Sequence, residues 1–94
     1  MMTDAIKKKV AARLRRIEGQ IAGVRRMIDE DRYCVDVLTQ TSAVVAALRG
    51  VEDLVMQNHL NTCVADAIRS NDQAEQNEKI SEVMSVIGKF RKHG

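Results

Sequence analysis

Ile6, Val10, Leu14, Ile17, Ile21, Val24 and Ile28 recur every three or four residues, the period of one face of an α-helix. The stripe predicts an amphipathic helix over residues 4–29, with Thr3 or Asp4 as its N-cap. The run "DEDR" then breaks the pattern, and its acidic residues at 29–31 suit the positive end of a following helix. From Cys34 to Ile68 apolar residues occupy more than one face: Val35, Val37, Leu38, Val44, Val45, Leu48, Val51, Leu54, Val55, Met56, Leu60 and Val64. A helix that is apolar on several sides is a buried one. Gly50 is a weak point in it, costing about 1 kcal/mol relative to Ala. "RSNDQAEQNEK" reads as a polar connection or fraying end. A shorter third helix follows, with Ile80, Val83, Met84, Ile87 and Phe90 as its apolar side.

Composition agrees with an all-α chain. There is no proline, and 45% apolar against 30% charged residues with a single Tyr and a single Phe is a mixture that long helices tolerate and sheets do not. A chain of 94 residues is expected to form a single domain over 1–94. The N-terminus lacks an apolar leader, and no run approaches the eighteen or so apolar residues of a membrane span, so the chain is expected to be cytoplasmic. Two cysteines do not make a disulfide framework, and a reducing compartment would keep both as thiols.

Length then becomes an argument about assembly. A middle helix of some 35 residues is about 52 Å long at 1.5 Å per residue, whereas a compact domain of this size has a radius of gyration near ~13 Å. The first helix, at about 40 Å, covers only one side of it. The remaining apolar surface predicts an obligate oligomer in which middle helices pack on each other, most simply a two-fold dimer.

"NHLNTC" supplies the candidate chemistry. His59 and Cys63 are four residues apart, one turn above the other on a helix. Two ligands are too few for a tight metal site, and the only other thiol is Cys34, 25 residues before His59 and about 37 Å away along a straight helix. In an antiparallel dimer the start of one middle helix lies beside the far end of its partner. Cys34 of one chain then meets His59 and Cys63 of the other, giving two equivalent sites. Two thiolates and an imidazole suit Cu(I), which accepts three ligands; Zn²⁺ favours a fourth, and octahedral Ni²⁺ or Co²⁺ wants more nitrogen and oxygen donors. Two other readings stay open: His59 and Cys63 as plain buried side chains, and Cys34 with Cys63 as a metal-free redox pair.

Charge is unevenly distributed. Residues 1–28 carry eight Lys or Arg against two acidic side chains, net +6, while residues 29–94 are net −4. On a helical wheel Lys9, Arg13, Arg16 and Gln20 share a narrow sector beside the apolar stripe. Such a stripe is often only a solvated face, but an oligomer repeats it and multiplies phosphate contacts. Few aromatics argue against stacking on single strands, and no helix-turn-helix is evident. The expected partner is duplex DNA, bound through phosphates and shape, with Arg and Gln able to reach base edges. Arg49 extends this surface from the middle helix. No Trp, and no Phe near the basic stripe, would anchor the chain in a membrane.

"RLRRIEGQIAGVRRMI", "YCVDVLTQTSAV" and "NHLNTC" together resemble, over nearly the whole chain, the copper-sensing branch of the CsoR/RcnR transcriptional repressors. The resemblance implies a three-helix protomer (a long antiparallel hairpin plus a short third helix), an antiparallel dimer and a disc-like tetramer. It implies an apo-protein that binds operator DNA and is released by inducer. It carries Cu(I) onto Cys34, His59 and Cys63, with Cys34 from the neighbouring protomer, and makes a copper chaperone a candidate partner. Nickel/cobalt sensors of the family have a further His where Cys63 stands, formaldehyde sensors lack a Cys there, and persulfide sensors usually lack the His. His59 is therefore the residue that favours copper over persulfide. The same branch places a Tyr before the first Cys, here Tyr33, and a Glu on the third helix, matched best by Glu82 if "SNDQAEQ" is allowed a gap. "ALRGVED" departs from the family's arrangement, which leaves Arg49 less secure.

The expected activity is that of a Cu(I)-responsive repressor. A persulfide or redox sensor using Cys34 and Cys63 is the alternative within the same class, and a copper buffer with no regulatory role is the alternative outside it. No nucleophile–base pair emerges that would make an enzyme.

Overall fold

A computed structural model describes the backbone of residues 2–93 and the side chains up to residue 89. The chain is helical nearly throughout: α1 (Asp4–Asp29), α2 (Cys34–His59), a π-helical turn (Leu60–Val64), α3 (Ala65–Arg69) and α4 (Gln73–His93). It divides into two compact units, Met2–Gln57 and Asn58–Gly94.

In the first unit α1 begins where its stripe begins, with Thr3 Oγ1 accepting the Ile6 N–H at 3.3 Å. It ends in a turn that closes its last carbonyls. The Arg32 N–H donates to Met27 O and the Asp31 N–H to Ile28 O, and Asp31 takes φ 55°, the left-handed conformation that stops a helix. The acidic residues 29–31 therefore terminate α1 and do not open α2, a correction to the expectation from charge alone. Asp tolerates this conformation because its short carboxylate interacts locally, and a dipole argument cannot distinguish the residue that ends one helix from one that starts the next. α2 starts at Cys34, with the Tyr33 carbonyl accepting from Asp36 and Val37.

The two helices run antiparallel. Arg13, Arg16 and Ile17 share a cleft with Ala46, Ala47 and Gly50, whereas Ile28 shares one with Cys34, Val37 and Leu38. Each apolar stripe is split lengthwise. On α1, Val10 and Ile17 are buried with Val24 half-buried, while Leu14, Ile21 and Ile28 stay exposed. On α2, Val44 is buried and Val37, Ala47, Val51 and Leu54 are half-buried. Leu38, Val45, Leu48 and Val55, about one residue round the helix, remain exposed.

In the second unit the π turn, α3 and α4 pack on one another around buried Val64 and Ala67. Asn71, at φ 60°, ends α3. Asp72 caps α4, its Oδ1 accepting the N–H groups of Ala74 and Glu75 at 3.0 and 3.2 Å, as an N-cap carboxylate does. Gln76 Nε2 donates to the Ile68 carbonyl at 3.0 Å. Most of "RSNDQAEQNEK" is thus the first turns of a 21-residue helix, not a connection; a polar composition is compatible with a helix once a cap and one anchoring contact hold it. Ile80 and Met84, assigned to its apolar side, are exposed, Val83 and Ile87 are half-buried, and the Phe90 side chain lies outside the described residues.

The helical run Cys34–Arg69 is, by length and composition, long and apolar enough to cross a membrane, contrary to the expectation that no such segment exists. Asp36, Arg49, Glu52 and Asp53 punctuate it, and each such charge is disfavoured by about 2.5–3.5 kcal/mol at the centre of a bilayer helix.

Candidate metal centre and basic helix face

His59 is the last residue of α2, and Cys63 lies in the π turn that follows. In an α-helix residues four apart are offset by about 40° around the axis. A π turn closes its hydrogen bond one residue later and is therefore wider, which reduces that offset. Isolated π turns recur at functional sites. The Thr62 hydroxyl donates to the Asn58 carbonyl at 2.8 Å, a back-bond that bends or loosens a helical turn. The same hydroxyl oxygen is 3.7 Å from Cys63 Sγ. Cys63 is half-buried and Cys34 exposed, and both are free thiols.

His59 is oriented from α4. Glu82 Oε1 lies 3.1 Å from His59 Nε2, and Lys79 Nζ lies 3.6 Å from the other carboxylate oxygen, Oε2. Nε2 is buried, yet it makes no hydrogen bond. At 3.1 Å the contact is in ion-pair range, with the carboxylate oxygen off the ring N–H axis; a small rotation of either group would align them. The ring nitrogen turned away from Glu82 is Nδ1.

The remaining predicted ligand, Cys34, and the supporting Tyr33 belong to the other unit. Cys34 opens α2, and Tyr33 just before it is 69% exposed. Among the described residues no three His, Cys, Asp or Glu side chains of one chain gather as a metal site. The donors present in one protomer are thus a pair, backed by a carboxylate, plus a separate exposed thiol.

Lys9, Arg13, Arg16 and Gln20 are all exposed on α1, and Arg49 is exposed on α2. Arg13 and Arg16 flank an open cleft of about 300 Å³. Its far wall is low because Gly50 has no side chain; a Cβ there would stand 3.2 Å from Arg13 Nη1.

The sequence did not reveal the π turn, Thr62 beside Cys63, or Lys79 on Glu82.

A family model described as metal-sensitive transcriptional repressor matches residues 6–89. The chain belongs to that family. The metal-sensitive repressors most similar to it include the copper-sensing transcriptional repressor CsoR of Bacillus subtilis, 46% identical over 92% of this chain and 82% of that protein. The crystal structure of the copper-sensing repressor CsoR with Cu(I) from Geobacillus thermodenitrificans is 41% identical and superposes with a TM-score of 0.86, covering 97% of this chain and 92% of that one. The nickel-responsive regulator InrS is 35% identical with a TM-score of 0.75, covering 88% and 90%. A copper-sensing and a nickel-responsive regulator thus share this fold, and the donor atoms have to distinguish them.

Proposed function

We propose that this member of the family is a Cu(I)-responsive repressor, whose metal centre forms between protomers from Cys34 of one and His59 with Cys63 of the other. The observation that carries the reading is the donor set: two free thiols and an imidazole with a carboxylate at its second nitrogen. That set suits a soft ion of low coordination number, and an outer carboxylate on a ligating His is the usual support for such a ligand. Copper-sensing relatives at 46% and 41% identity point the same way. When bound, Cu(I) would supply a bridge between protomers; no redox step is required of it.

The rest follows from what this chain's residues do. Lys9, Arg13, Arg16 and Gln20, repeated by the oligomer and extended by Arg49, bind the phosphates of operator DNA in the cytoplasm, and the contribution of each phosphate contact falls with salt. Tyr33 and Glu82 hold the ligands in orientation. A metal that draws Cys34 toward the partner's helix end favours one arrangement of protomers. If DNA favours another, the two ligands weaken each other by the same factor. At roughly 1–3 kcal/mol per coupled site, several sites reduce DNA affinity by orders of magnitude.

The test is fluorescence anisotropy of a duplex from the protein's own promoter, bound by reduced protein and titrated anaerobically with Cu(I). Release near one copper per protomer is expected. DNA that stays bound at saturating copper removes the copper reading and calls for a persulfide donor on the same sample. Absence of DNA binding at low salt would leave a copper buffer.

A further inference from the structure

Lys79 is in the wrong place for a surface lysine. On α4 the side facing the rest of its unit carries Gln76, Lys79, Val83 and Ile87, all half-buried. The Lys79 side chain is 29% exposed, whereas the neighbouring Ile80 and Met84 are 50% and 63% exposed. An ammonium normally takes the solvated side of an amphipathic helix and leaves the packed side to Ile or Met. Here the order is reversed, and the lysine pairs with the Oε2 atom of Glu82, at 3.6 Å.

That carboxylate has two neighbours. Oε2 faces Lys79 and Oε1 faces His59 Nε2. Glu82 alone is 45% exposed, free to swing into water and regain rotamer entropy. An ammonium on one oxygen limits that freedom and leaves the other oxygen directed at the imidazole. Exposed i,i+3 pairs are individually weak; here the ammonium is half-buried and the carboxylate is shared with a candidate ligand. Upstream, the Asp72 cap and the Gln76–Ile68 contact fix α4 on its unit, so Lys79 projects from an anchored turn.

We propose that Lys79 is a positioning residue for the metal centre: it holds Glu82 against His59 Nε2, so that Nδ1 is the nitrogen presented to the metal. The proposal rests on the assignment of His59 as a ligand. It gives α4 a direct mechanical connection to the ligand-bearing turn, through one carboxylate held from both sides.

The test uses Lys79→Met, which keeps the stem and removes the ammonium, and Lys79→Arg, which keeps the charge. Long-range ¹H–¹⁵N spectra of the full-length, metal-free protein report the tautomer of His59. Wild type and Lys79→Arg are expected to hold the proton on Nε2, and Lys79→Met to show a tautomer mixture. In the anaerobic Cu(I) titration, Lys79→Met should need about tenfold more free copper for half-release, the low end of the range for outer-shell partners, and Lys79→Arg should restore it. A His59 spectrum in Lys79→Met identical to wild type, with half-release within about twofold, overturns the proposal and leaves a surface ion pair. If wild type itself ignores copper, the copper reading fails separately, and the metal-free spectra still decide what Lys79 does.

Discussion

His59 shows how a single side chain acquires its role from two directions. Its place at the end of α2, four residues before Cys63, follows from chain order; its ring orientation depends on Glu82, contributed by α4. The first was legible in the sequence because soft donors one helical turn apart stand out on an apolar helix. The second came through the family resemblance, which matched Glu82 to a Glu on the third helix; that "DQAEQNEK" is itself helix is what places it opposite the ring. Lys79 was illegible, since its burial depends on which side of α4 packs. On the proposed reading Cys34 is the residue whose loss separates sensing from DNA binding: it is an exposed thiol beside Ile28 and Val37, whereas Arg13 and Arg16 lie beside Ala46 and Gly50. In Cys34→Ala, DNA affinity should remain within about twofold of wild type, since no phosphate contact is removed, while copper-dependent release is lost. Anisotropy measures both on one sample, and a variant still released at one copper per protomer would remove Cys34 from the site.

At the scale of elements, α1 was readable end to end, from the Thr3 cap to the last residue of the stripe. Its stripe is continuous and its start has an oxygen acceptor in the right position. The boundaries that were misread are those set by conformation more than by composition. Asp31 and Asn71 take positive φ and end their helices without glycine, and the π turn has no residue signature. Gly50 reads differently from the two viewpoints. In sequence it is a break in a helix; in the fold it is the low wall over which the Arg13 guanidinium lies, 3.2 Å from where a Cβ would be. Gly50→Ala therefore sets helix propensity, worth up to about 1 kcal/mol in its favour, against a contact with the far end of a flexible side chain. Propensity should win, because Arg13 can yield a few tenths of an ångström. The melting midpoint should rise by a few degrees, at roughly 4–8 °C per kcal/mol for a domain of this size, as calorimetry would record. A fall would mean that Arg13 is held rigidly over Gly50.

For the molecule as a whole, the surface left uncovered is the informative part. Leu38, Val45, Leu48 and Val55 are exposed in the protomer, although their spacing of three and seven residues puts them within a sector of about 100° on α2. That is the seam of a helix packed on another helix. On α1, Leu14, Ile21 and Ile28 repeat at intervals of seven and are exposed as well. An apolar seam left in water is unfavourable by about 25 cal/mol per Å², so a second copy is the simplest cover, as the length of the middle helix already suggested. The proposed site, made from two chains, then depends on the seam as much as on its ligands. Val45→Glu with Leu48→Glu, which leaves Cys34, His59 and Cys63 untouched, should reduce the mass seen by light scattering to that of the protomer, since charges on a desolvated seam repel. Copper should then bind weakly to the His59–Cys63 pair alone and should no longer bring Cys34 into the site. A wild-type monomer at micromolar concentration, or a monomeric double variant with copper affinity intact, would show instead that one chain holds the ion by itself.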